Sequence, residues 1–310
     1  MMKDKIKVGI PRGLLYFKHE VLWKTFFEEL GCNVVVSPET NKENLNKGIH
    51  YSIDESCLSA KIYMGHVDWL RNKVDYVFVP RIASYSKQNQ TCTKFFAMPD
   101  IVENTFKDIK ILKYNLDIAN GKTERAGFIK LGLSLNKNIV KVLFAYRKAK
   151  YKQLENERKQ TKEQEDILEK TDKIKILIVA HSYNIYDKLI GFPVQDYLKK
   201  LNIEVIYADK ASKDESIRAS YKISKSLYWI YNQEILGAIE LYKEKIDGII
   251  FLTTFPCGPD SLVNDLCIRK IKNIPLSYIL IDELQGEAGI HTRLESFVDI
   301  ITARRLRLCL

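Results

Sequence analysis

The strongest constraint on the fold is a pattern that this chain contains twice. Lys5–Pro11 (KIKVGIP) is a short, almost uninterrupted apolar strand, followed by an amphipathic helix over Glu20–Leu30. Gly31 stops that helix and Asn33–Val36 is the next strand. Lys173–Ala180 (KIKILIVA) opens the series again, with a helix over Pro193–Leu201 and a strand over Ile203–Tyr207. Val74–Pro80 (VDYVFVP) then corresponds to Ile246–Thr253 (IDGIIFLT), and Asp75 to Asp247. Strands this apolar need cover on both faces, which points to parallel sheets flanked by helices and wound by right-handed crossovers. The expected fold class is α/β: two doubly wound parallel-sheet domains related by internal duplication and joined by a long helix over Leu135–Lys170. Further strands are expected at Ile109–Leu112 and Leu276–Ile281. The domains read as 1–146, a charged helical connector at 147–172, and 173–310.

A chain of 310 residues with 46% apolar content can build two cores. No apolar run approaches the ~18 residues that span a bilayer. Met-Met-Lys-Asp-Lys leads directly into a strand rather than a signal-peptide core, so a cytoplasmic protein is expected, with no membrane partner. Six cysteines are too sparse for a disulfide scaffold and are expected as thiols. The net charge of +10 raises the question of nucleic acid. The lysines are scattered beside glutamates, however, and Arg147–Lys173 carries both signs without any recognition motif. Nucleic acid is therefore not an expected partner; an acidic substrate or acidic protein fits the charge.

Cys57, Cys92 and Cys257 each fall where a strand has ended or a helix begins, the edges that line ligand clefts in wound sheets. Ser52–Glu55 has the form of a capping box, which predicts Cys57 in the second turn of the helix it starts. Cys92 sits in the polar segment Ala83–Lys94, where a buried structural cysteine is not expected. Cys257 lies in FPCGPD, with Gly258 removing a side chain beside the sulfur and Pro259 suited to a first helical turn. Cys32 and Cys267 read as core, and Cys309 as an exposed residue near the end of the chain. Three thiolates could hold zinc with a water, or an iron–sulfur cluster with one open iron; His50 and His66 flank the Cys57 helix without a spacing that demands ligation.

Five segments together resemble the 2-hydroxyacyl-CoA dehydratase superfamily, in particular its short activase-related members. They are VGIPRGLLYF (Val8–Phe17), IDESCLSAK (Ile53–Lys61), VPRI (Val79–Ile82) followed by Cys92, FPCGPDSLVN (Phe255–Asn264) and DELQGEAGIHTRLESFVD (Asp282–Asp299). The resemblance implies two Rossmann-like domains and an oxygen-sensitive [4Fe-4S] cluster in the interdomain cleft, with Cys57, Cys92 and Cys257 as ligands. It also implies low-potential electrons from an ATP-dependent activator, an acyl-CoA or other small-molecule substrate, and a homo- or heterodimeric working unit. In the dehydratases the electron makes a ketyl radical that expels a hydroxyl; relatives with an eight-iron double cubane reduce small molecules, and this chain has too few well-placed cysteines for that. The chain is shorter than typical dehydratase subunits and has no Walker-type phosphate loop, so ATP use is expected of the partner.

Arg12 and His181 follow the first strands of their halves and, with Arg293, are candidates to bind a phosphate, a carboxylate or a thioester oxygen. Ordinary structural ion pairs are the leading account of Arg12 and Arg293, and Thr292 reads as a cap on the terminal helix. Asp282 and Glu283 read as second acceptors or surface. The competing functions are a dehydratase-like redox subunit, a non-catalytic cluster or metal carrier, and a two-domain ligand sensor. The last leaves the cysteines unexplained, and a serine hydrolase lacks its Gly-x-Ser-x-Gly.

Overall fold

The computed structural model describes residues 5–170, 172–284 and 286–308, so Cys309 lies outside the described residues. The chain divides into two compact units, Met1–Glu157 and Arg158–Leu310. The first runs β1 (Lys7–Ile10), α1 (Tyr16–Glu29), β2 (Asn33–Val36), α2 (Lys42–His50), α3 (Leu58–Leu70), β3 (Tyr76–Ser84), α4 (Thr93–Thr105), β4 (Ile111–Asp117) and α5 (Glu124–Ser134). Helix α6 (Ile139–Lys170) carries the chain across the boundary. The second unit continues with β5 (Lys175–Val179), α7 (Ser182–Ile185), α8 (Gly191–Lys200), β6 (Glu204–Tyr207), α9 (Lys213–Ser220) and α10 (Ile230–Tyr242). It closes with β7 (Gly248–Thr254), α11 (Gly258–Lys270), β8 (Leu276–Ile281) and α12 (Glu287–Leu308).

Each unit holds a four-stranded, wholly parallel sheet, in the orders β2-β1-β3-β4 and β6-β5-β7-β8. The order is the same when the units are overlaid by sequence position, and the duplication extends to single hydrogen bonds. The Asp75 carboxylate accepts from the Lys7 backbone N–H at 2.7 Å, and Asp247 accepts from Lys175 at 2.8 Å. After α1 and α8, Gly31 (φ +79°) and Asn202 (φ +59°) take the left-handed conformation that ends a helix. The next residues, Cys32 and Ile203, each donate back to a carbonyl five positions earlier, at 3.0 Å in both units.

The cores differ in chemistry. Over the first sheet α1 lays aromatic rings: Trp23 and Phe27 pack edge-on against Phe78 at 5.0 and 5.2 Å, and Phe26 against Phe128 at 4.7 Å. Tyr16 is buried with this set, which draws the helix one turn further toward its N-terminus than its charge pattern indicates. The second core is aliphatic, built on Leu177, Ile206, Leu236, Ile239 and Ile249. Strand β3 continues past Pro80, where the sequence reading ends it. β1 pairs with β3 only at Tyr76 and Val77, so the proline lies beyond that ladder and sacrifices no bond to β1. No helix among the described residues is long and apolar enough to cross a membrane.

Candidate functional site

Cys57, Cys92 and Cys257 share one structural position: each is the N-cap of a helix, α3, α4 and α11 respectively. Their backbones are extended, at (φ, ψ) of (−62°, 149°), (−60°, 142°) and (−106°, 103°), and in none does the sulfur make a capping hydrogen bond. All three are partly exposed. An N-cap thiol faces the positive end of the helix dipole, which favours thiolate over thiol.

The reading of Cys57 in a second helical turn is corrected. Residues 51–57 are consecutive turns, closed by Ser52 N–H to Ile49 O (3.1 Å) and Ser56 N–H to Ile53 O (3.0 Å), and the helix starts at Leu58. Helices α2 and α3 make a hairpin whose backbones touch. A Cβ at Gly48 would stand 1.9 Å from Lys61 O, and one at Gly65 would stand 1.9 Å from Asn44 O. With α3 anchored this way, the capping position falls to the last residue of the turn rather than to Ser52.

Cys92 is placed by a loop that folds back on its own strand. The Thr91 hydroxyl donates to Ile82 O at 2.5 Å, and the Thr91 N–H to Ala83 O at 2.9 Å. Arg81 of β3 then fixes the helix Cys92 begins: its guanidinium donates to Phe96 O (2.7 Å), Asp100 Oδ1 (2.6 Å) and Asn115 Oδ1 (3.1 Å), and lies 4.9 Å over the Phe96 ring. Replacing Arg81 by methionine is expected to cost about 1–2 kcal/mol in urea unfolding, since these bonds are partly solvated. Lys94, in the first turn of α4, donates to Ser56 Oγ at 3.2 Å. The two cysteine-capped helix starts of the first unit are thus tied together by Ser56, next to Cys57, and Lys94, two residues after Cys92.

Beneath these starts, the carboxyl ends of β1 and β3 with α3 and α4 enclose an apolar pocket lined by Pro11, Leu15, Tyr63, Phe78, Phe95 and Met98. Arg12 sits between lining residues of that pocket, half-buried, its N–H donating to Ser37 Oγ at 2.8 Å. Its guanidinium makes no ion pair among the described residues. His66 is fully buried, with Nε2 3.0 Å from Thr40 Oγ1. Burial, reinforced by the Arg12 charge, pushes its pKa down to about 3, so the ring is neutral at ordinary pH.

In the second unit, Cys257 stands above a buried carboxylate. Asp260, in the first turn of α11, accepts from Asn232 Nδ2 on its Oδ1 and from Thr253 Oγ1 on its Oδ2, each at 2.9 Å. His181 Nε2 lies 2.9 Å from Asp260 Oδ1. Burial alone would raise this carboxyl. Attraction to His181 and the hydrogen bonds outweigh it and hold the pKa at about 2. The four residues come from the end of β5, from α10, from β7 and from α11, so one carboxylate joins the elements around Cys257. Tyr278 of β8 belongs to the same surroundings: burial raises its pKa, hydrogen bonds with Ser261 and Asn264 oppose that, and Asp260 and Cys257 add to the rise.

The remaining expectations resolve as follows. Cys32 and Cys267 are buried core residues, and burial raises both thiols, Cys267 to about 12. Gly258 is not required sterically, because a Cβ there meets nothing within 4 Å. Arg293 is on an exposed face of α12, and Asp282 and Glu283 are exposed. Thr292 does not cap the terminal helix. That helix starts at Glu287, and the Thr292 hydroxyl donates back to Ala288 O at 3.2 Å. Asp260, Asn232, Thr253, Arg81 and Lys94 escaped the sequence reading; the one available signal was an aspartate three residues after Cys257, at a position suited to a helix N-terminus. The cysteines are divided between the units, Cys57 and Cys92 in one and Cys257 in the other. Among the described residues no three His, Cys, Asp or Glu side chains gather as a metal-binding group.

No curated protein matches the chain. Among solved structures it is similar to the solute-binding protein FpvC of Pseudomonas aeruginosa in complex with Mn2+, at 11% identity and a TM-score of 0.29, covering 97% of this chain and 98% of that one. It is also similar to the Zn(II)-bound ZnuA-like domain of Streptococcus pneumoniae AdcA, at 11% identity and a TM-score of 0.28, covering 96% and 98%. Superpositions this loose carry nothing about ligand or activity. A family model, by contrast, matches residues 7–210, more than half the chain and including Cys57, Cys92 and Arg12. The chain belongs to the family of the CoA enzyme activase uncharacterised domain.

Proposed function

We propose that this chain is an iron–sulfur redox protein of the 2-hydroxyacyl-CoA dehydratase type, with Cys57, Cys92 and Cys257 as the ligands of a [4Fe-4S] cluster. In this reading it takes low-potential electrons from an ATP-dependent activator protein. The observation that carries the reading is the common N-cap placement of the three cysteines. Cysteine is an unusual N-cap, because serine, threonine, aspartate and asparagine fill that role better. Three such caps are accounted for if the sulfurs are anionic ligands, since a helix N-terminus stabilises both a thiolate and the negative charge of a cluster. Thiolate donors alone also suit iron–sulfur ligation, and three of them leave one iron open.

When bound, the cluster would supply a one-electron carrier with a free coordination site. The chain's own residues have separate tasks. Arg81, Lys94 and the Gly48–Gly65 contact hold Cys57 and Cys92 in place, and the Asp260 network holds the Cys257 turn. Arg12, half-buried after β1, offers a guanidinium to take a substrate oxygen.

Anaerobic purification or reconstitution of the wild type is expected to give about four irons and four sulfides per chain. Each of Cys57→Ser, Cys92→Ser and Cys257→Ser should lower that content and alter the electronic spectrum. A cluster that forms but accepts no electron from an activator protein would favour the carrier reading. A colourless, iron-free wild type that resists reconstitution would overturn the proposal.

A further inference from the structure

The duplication that organises the two sheets extends to their helix starts. In the first unit the hairpin α2–α3 precedes β3 and α4 follows it; in the second, α9–α10 precedes β7 and α11 follows it. Cys92 and Cys257, the caps of α4 and α11, are therefore counterparts. The counterpart of Cys57, which caps α3, is Trp229, which caps α10. Trp229 is also extended, at (φ, ψ) of (−77°, 108°), and its side chain makes no capping hydrogen bond. A close backbone contact fixes this alignment. Gly65 and Gly237 lie equally far along α3 and α10 from these caps, and a Cβ on either would strike a backbone oxygen of the preceding helix, Asn44 O or Ser216 O. The starts are also joined alike. Ser56 and Lys94 tie the start of α3 to that of α4, and Asn232, in the first turn of α10, donates to Asp260, in the first turn of α11, at 2.9 Å. Four equivalent cap positions thus carry three sulfurs and one indole.

We propose that Trp229 holds the place of a fourth ligand and walls the coordination position that the three cysteines leave open, keeping one iron for an oxygen or sulfur atom of a substrate. The inference rests on the cluster reading above and adds to it the residue that keeps the site at three thiolates. An indole offers no lone pair to a metal, since its nitrogen only donates. A histidine or aspartate there would bring a donor, and a cysteine would close the site. The ring is also held. It is half-buried, packs against the core of the second unit, and lies against Tyr228 with ring centroids 4.6 Å apart. An ordinary core tryptophan would account for the packing, but not for its standing at the one cap position of the four that lacks a sulfur. Trp229 is in this sense a positioning residue: it keeps protein donors from the open iron and presents a flat apolar face to whatever binds there.

The test is anaerobic reconstitution of the full chain as wild type, Trp229→Cys and Trp229→Phe, followed by mild ferricyanide oxidation. Iron content and the electron paramagnetic resonance spectrum are the readouts. An iron without a protein ligand is the one released on oxidation, so wild type and Trp229→Phe should each lose about one iron in four and show the signal of a three-iron cluster. Trp229→Cys should keep its iron and lack that signal. A second measurement does not depend on the cysteine variant. The fluorescence by which wild type exceeds Trp229→Phe should be almost abolished on loading, through energy transfer to the absorbing cluster beside the indole. A Trp229→Cys protein that loses iron as wild type does, or Trp229 emission that survives loading, overturns this proposal and leaves the three-cysteine cluster standing. A wild-type cluster that keeps all its iron has a fourth protein ligand and also overturns it. A wild type that takes up no cluster overturns both this proposal and the reading on which it rests.

Discussion

Asp260→Ala is expected to destabilise the second unit by about 3–5 kcal/mol, a loss that would unfold many domains of this size. The carboxylate is 4% exposed and joins His181, Asn232 and Thr253 across four elements. Removing it leaves three buried polar groups without their partner and opens a void, and each effect is costly. Asp260→Asn should be far milder. Its carbonyl can serve His181 and Asn232, while its amide can donate to the Thr253 hydroxyl, which accepts as readily as it donates. The pair also separates by pH. The folded carboxyl, at about 2, lies below its ordinary value of 3.8. The unfolded chain therefore binds the proton more readily, and the stabilisation, roughly 2 kcal/mol, is complete above about pH 4 and lost as pH falls toward about 2. Urea midpoints across that range should fall with acid in wild type and lose this component in Asp260→Asn. Equal acid slopes in the two proteins would show that Asp260 is not held ionised.

Gly65→Val is expected to prevent α2 and α3 from packing and to unfold the first unit or leave it molten. Even Gly65→Ala should cost more than about 3 kcal/mol, because the atom that a Cβ would strike at 1.9 Å is a backbone oxygen, which no side-chain rotation can move. Gly48→Ala meets the reciprocal obstacle at Lys61 O, also at 1.9 Å. In contrast, Gly258→Ala should be tolerated, since nothing lies within 4 Å of the added carbon. Thermal unfolding of the three alanine variants makes the comparison, and a Gly65→Ala protein as stable as wild type would mean that the two helices do not touch. The consequence reaches the candidate site. Cys57 caps α3, so a displaced α3 moves its sulfur relative to Cys92 even where the unit still folds.

Two of the corrections have one cause. Ser52–Glu55 matches a capping box and Thr292 a single cap, and both patterns are local and correct as chemistry. In the fold, Ser52 lies in a turn because the α2–α3 contact sets where α3 starts, and Thr292 lies inside a helix that begins earlier. Capping motifs are worth about 1 kcal/mol, and packing of a helix face outweighs them.

The alternation of apolar strands and amphipathic helices, repeated with its matching aspartates, determined the two parallel sheets by itself, because burial of both sheet faces leaves a period that the sequence must carry. The loop-edge positions of Cys57, Cys92 and Cys257 were legible for the same reason. What the tertiary structure decided was everything that depends on residues distant in the chain. This includes the shared N-cap position of the three sulfurs, the Lys94–Ser56 tie, and a carboxylate reached by residues 7, 28 and 79 positions away. Hydrogen bonds of that kind leave no periodic trace in sequence, since their partners are chosen by geometry after the backbone has folded.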